Sequence, residues 1–166
     1  MDFHMKLPRN NKEFPIFLGF ISIISVLIIA PLITCFEMGF KMSVLANTLK
    51  VIPFIWIAVV GLVLLTHKPA EIMSSKIVAE GDSFNAKIII NTLCNVLLMS
   101  IFLTVIGSWI GMRRISLEPV IMFFHKWPRN FVIAFGVEAL IAQPIARFVM
   151  VKIHEVKDKK ESEVIA

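Results

Sequence analysis

Phe14–Phe36 and Ile88–Met112 run for 23 and 25 residues without an Asp, Glu, Lys or Arg. The hydrocarbon layer of a bilayer is about 30 Å thick, and a helix needs about 20 apolar residues to cross it. A buried core helix in a chain of 166 residues has no use for uncharged runs of that length. Two shorter runs, Val51–Thr66 and Phe131–Ala146, complete the pattern, and the last contains Glu138. Backbone polar groups cannot stay unpaired in lipid, so each run is expected to be a helix. The spans are expected near Glu13–Phe36, Leu49–Thr66, Asn85–Met112 and Trp127–Met150. The fold class is therefore all-α: an integral membrane protein with four transmembrane helices. At 57% hydrophobic and a mean hydropathy of +0.82, the chain is well above a soluble domain.

The basic residues lie outside the apolar runs, which marks headgroup contact and topology and excludes a nucleic-acid surface. Lys6, Arg9 and Lys12 precede the first run. That run is too long for a signal-peptide core and lacks a small-x-small cleavage site, so it reads as an uncleaved first span. The N-terminus, the Lys68–Lys87 segment and the C-terminus hold 11 Lys or Arg, against 6 on the other face. Basic residues stay in the cytoplasm, so both termini are expected there, in the cell membrane. Trp109 and Trp127 bracket the segment between the third and fourth spans, where Pro119-Val-Ile-Met-Phe-Phe is expected as a short interfacial helix. Cys35 and Cys94 should fall near opposite faces, too far apart for a disulfide.

A shift of 75 residues aligns Pro53 with Pro128, Gly61 with Gly136, Pro69 with Pro144 and Ser25 with Ser100. This suggests two tandem helical hairpins, residues 12–80 and 87–153, related as parallel repeats. Residues 154–166 form a charged cytoplasmic tail, expected to be disordered at its end.

Phe131-Val-Ile-Ala-Phe-Gly-Val-Glu-Ala-Leu-Ile-Ala-Gln-Pro-Ile-Ala-Arg resembles the end of a bacterial two-helix membrane unit, the domain of unknown function 2798 (DUF2798). The aromatic start from Trp127 to Phe135 and the ending Gln143-Pro144-x-x-Arg147 carry the match. The resemblance implies a small bacterial membrane protein with two copies of the unit. The first copy departs from the pattern, with Ile72 where the second has Arg147. The family brings no established activity with it.

Glu138 is the sharpest candidate for function, because a carboxyl in mid-span is costly. Three readings stand: a proton or cation site on a transport path, a protonated carboxyl that fixes helix packing, or a fourth helix lying shallower than drawn. Ser25 and Ser100 lie at its depth. Asn91 and Asn95 share a face, as do Gln143 and Arg147, at matched heights on antiparallel helices, so the four are expected to meet in one polar cluster. Pro31 and Pro144 each remove a helix hydrogen bond, and kinks are expected there. His4, His67, His125 and His154 are scattered, and no metal, phosphate-binding or nucleophile motif occurs, so neither an enzyme nor a cofactor is expected. Two functions remain: an interaction protein working through helix contacts with the bilayer, with itself or with a membrane partner, and a small oligomeric transporter or channel using Glu138.

Overall fold

The computed structural model describes residues 13–79 and 81–165, and Lys6, Arg9 and Lys12 lie outside them. The helices are α1 (Glu13–Met38), α2 (Met42–Ile77), α3 (Phe84–Met112), α4 (Glu118–Ile121), α5 (Phe123–Val137) and α6 (Gln143–Ile165). A π-helical turn, Glu138–Ala142, joins α5 to α6, so the three make one long fourth rod. Four rods are long and apolar enough to cross a membrane, and no strand occurs among the described residues.

The rods form a ring. α1 packs on α2 and on the fourth rod, and α3 packs on the same two. Val26, Val59 and Val63 centre the inner packing, with Trp56, Met99 and Leu103 against them. Large apolar side chains such as Phe54, Leu65, Val132 and Leu140 point outward and are 63–78% exposed. Such a surface suits a lipid solvent, where burying apolar groups between helices gains little. The polar groups inside are tied within or between helices. Thr34, Thr48, Thr66 and Ser108 each donate to the carbonyl four residues back. Trp56 Nε1 donates to Ser22 Oγ at 3.0 Å, and Trp127 Nε1 to Ser100 Oγ at 2.9 Å. Each hairpin is thus latched by a tryptophan of its second rod on a serine of its first.

The connections are short because the helices overrun their apolar cores. α2 starts at Met42 and ends at Ile77, well beyond the expected Leu49–Thr66. The expected extramembrane segment Glu37–Thr48 shrinks to a turn around Gly39, whose φ of 92° favours glycine. Gly39 N–H closes that turn on the Cys35 carbonyl at 2.8 Å. Ser83 caps α3 by accepting from Ala86 N–H at 3.3 Å. At the far end of α3, Arg113 ends the helix in the left-handed region, and Trp109 Nε1 donates to the Ser116 carbonyl at 2.8 Å. The short α4 carries Pro119 in its first turn, where a missing amide costs nothing. Ile115, Leu117, Ile121 and Phe124 around it are 74–83% exposed.

α1 runs unbroken through Pro31. Pro144 lies just after the π turn, where its ring would press on the Leu140 carbonyl of a regular helix. The turn also has a packing reason. Buried Val137 and Ala142 are five residues apart, about 140° out of phase on an α-helix. The wider turn absorbs the extra residue and keeps Val137, Ala142, Ala146 and Met150 facing inward.

The expected tail is corrected. α6 continues to Ile165, so residues 154–165 are helical rather than disordered. His154 is completely buried, and its Nε2 lies 2.8 Å from Glu13 Oε2. Lys157 Nζ donates to Glu13 Oε1 at 2.7 Å. The segment is held to the start of α1. Charged residues at 3.6-residue periodicity extend a helix as readily as apolar ones, which a charge count does not register.

Candidate functional site

The fourth rod presents Lys126, Asn130, Ala134 and Glu138 at intervals of four, a row of neighbours that winds about 120° around the helix from first to last. The first three line a cavity of about 830 Å³ bounded by all four rods. It opens at the end that carries the α1–α2 turn and the α3–α4 connection. From Met38 it follows α1 down to Val26, about 18 Å along the axis. Glu37, Lys41, Arg113 and Lys126 surround the mouth, and Lys50, eight residues into α2, lines the wall about 12 Å further in. Glu37 is claimed by Arg129 at 3.0 Å and by Lys126 at 3.8 Å. Lys41, Lys50 and Arg113 make no ion pair among the described residues. Val26, Val59 and Ser100 line its inner end. Asn130 is buried in the wall and reaches Thr104 Oγ1 at 3.5 Å.

Glu138 is one helical turn further in than Ala134, at the first residue of the π turn. The Ser25 hydroxyl donates to Glu138 Oε2, tying α1 to the fourth rod. Ser25 is buried, Glu138 half-buried. Ser100 takes a different partner, Trp127. Of the two serines expected at this depth, one therefore meets the carboxyl and the other latches a hairpin while facing the cavity. π turns recur at functional sites, because they misalign a helix locally and free its carbonyls.

The expected four-residue polar cluster does not form. Gln143 Nε2 reaches α3 at Thr92 Oγ1, 3.5 Å away, and Arg147 Nη2 donates to Gln143 Oε1 at 3.5 Å. Asn95 turns to α2 instead, its side-chain amide 3.2 Å from Thr66 Oγ1, while Asn91 is exposed. Depth along a helix fixes height but not azimuth: Thr92, between the two asparagines in sequence, is the residue that faces Gln143. Buried Arg147 Nε has no hydrogen-bond partner.

Below these lies the Glu13–His154–Lys157 group, which sequence reading missed. Its members are separated by 141 and 144 residues. The periodic signal available was the row Ala142, Ala146, Met150, His154, whose regular spacing of four places the histidine on the buried face. Cys35 and Cys94 are both buried and unpaired. No group of three or more His, Cys, Asp or Glu able to hold a metal occurs among the described residues. No family model, curated protein or solved structure compared with the chain matches it.

Proposed function

We propose that this chain is a small multi-pass carrier of the cell membrane, in which Glu138 exchanges a proton while an anionic solute passes through the cavity. The observation that carries this is the row Lys126, Asn130, Ala134, Glu138, whose first three members line the cavity and whose last lies one helical turn beyond them. The balance of charge at the mouth chooses the traffic. Lys41, Lys50 and Arg113 raise the local potential, which concentrates anions and repels metal cations. The proton is then the cation that suits Glu138, and an ionisable residue at this depth is a functional candidate by its cost alone. Both termini are taken to be cytoplasmic, so the cavity opens outward. The two hairpins are taken as tandem units resembling domain of unknown function 2798, on the 75-residue alignment of Pro53, Gly61 and Pro69 with Pro128, Gly136 and Pro144.

A second reading has its own support. Ser25 already satisfies Glu138, and Glu138 is not among the residues lining the cavity. On that reading the carboxyl fastens helices together and the protein works through contacts with itself or with a membrane partner. Proteoliposomes holding a pH-sensitive dye separate the two. Adding monocarboxylates or alkyl phosphates outside is expected to drive proton uptake with at least one of them, and Glu138→Gln to abolish it. Vesicles that take up no protons with any of these anions leave the packing reading standing.

A further inference from the structure

We infer that the cavity at the turn end of the bundle binds an amphiphilic anion: a carboxylate or phosphate head carrying an apolar tail. This names the solute of the proposed carrier and rests on the cavity alone, not on proton movement.

The wall has two zones of different chemistry. Lys41 and Arg113 stand at the mouth and Lys50 about 12 Å further in on α2, all three exposed and without an ion pair among the described residues. Deeper in, Val26, Ile29, Ile55, Val59 and Leu103 dominate. The hydroxyls between them add little for a polar guest. Thr34, Thr48 and Ser108 all line the cavity, and all donate their protons to their own helix backbone at 2.8–2.9 Å. A small hydrophilic anion would be held at the mouth but would leave the inner zone unfilled. An uncharged tail would fill the inner zone and leave three cations unused. An amphiphile with an acidic head satisfies both. At about 830 Å³ the space is within the roughly 300–1,000 Å³ of small-molecule sites.

The placement of the basic residues points the same way. On the face expected to be poor in them stand Lys41, Lys50, Arg113, Arg114, Lys126 and Arg129. Four of these six line the cavity. A role in ligand recognition accounts for cations that topology alone would disfavour.

The test uses the full chain in nanodiscs of phosphatidylcholine, with empty discs as background and dodecyl phosphate as probe. Dodecyl phosphate is expected to saturate at one per chain. Inorganic phosphate and dodecanol should each bind at least about tenfold more weakly, since each lacks one half of the match. Lys50→Gln and Arg113→Gln are each expected to weaken dodecyl phosphate about tenfold. Gly107 lines the cavity, and a β-carbon added there meets nothing within 4 Å. Gly107→Leu should therefore push a bulky side chain into the path of the tail and weaken binding, while Gly107→Ala keeps it. Doping the discs with phosphatidylglycerol separates two sources of the same chemistry: competition assigns the site to a bilayer lipid, and its absence assigns it to a free amphiphile. Equal binding of dodecanol, equal binding of inorganic phosphate, or full binding by a folded Gly107→Leu each overturns the inference. Binding without proton uptake in vesicles upholds it and sinks the carrier reading.

Discussion

Glu13 opens α1 and is only 3% exposed. An ionised carboxylate so far from water needs compensation, and His154 and Lys157 supply it from the other end of the chain. Truncating one member of such a group exposes the cost of burying the rest. Glu13→Ala is expected to lower stability by about 1–3 kcal/mol, the range for leaving a buried polar partner short of a bond. The same change should speed backbone hydrogen exchange across residues 152–159, because α6 loses its tie to α1. Melting temperature and exchange mass spectrometry read the two effects together. A stable variant whose tail stays protected would show that apolar packing around Met150 and Val151 holds α6 by itself. Glu138 differs, because it faces Ser25 rather than a cation. The two carboxyls show what sequence made legible at this scale. Glu138 stood out against an uncharged run, whereas Glu13 bordered charged residues and looked like an ordinary helix start. Thr92 was passed over because a threonine in an apolar run carries no cost that draws notice.

The four apolar rods were legible because uncharged runs of the length a bilayer demands are expected to be helical throughout. Their ends were not, because a helix outlives its apolar stretch wherever charged side chains can reach water. Pro53 and Pro69 both sit inside α2, and neither stops it. The π turn was half legible: Pro144 pointed to a distortion, but the five-residue step from Val137 to Ala142 shows up only once the buried face is known. That step makes a specific prediction. Leu140 lies in the turn and is 78% exposed. Deleting it, with Pro144→Ala to remove the ring, leaves Val137 four residues from the alanine that follows, in phase on a regular helix. The deletion is expected to preserve folding, with a melting temperature close to that of the parent. Deleting Val132 instead, an equally outward residue two turns earlier, rotates Asn130 and everything before it by about 100° relative to the remainder of the rod. That variant should melt far lower or fail to assemble. Equal tolerance of both deletions would mean that the π turn does not set the phase of the rod.

At the scale of the whole molecule the charged groups divide by end. One end holds Glu13, His154 and Lys157, packed and paired. The other holds the cavity, where Lys41, Lys50 and Arg113 lack ion-pair partners among the described residues. By simple counting the second end is the poorer in basic residues, 6 against 11, a modest bias. If the four that line the cavity serve a ligand, only Arg114 and Arg129 remain as general surface charge, and the bias toward cytoplasmic termini becomes steep. Reporter fusions at positions 42, 78 and 166 test this directly. The expected pattern is external at 42 and cytoplasmic at 78 and 166. Repeating the fusions with Lys50→Gln and Arg113→Gln together should leave the pattern unchanged, because charges already on the translocated side only oppose the orientation. A cytoplasmic signal at 42 would turn the cavity mouth inward, and the carrier would then meet its anion from inside the cell.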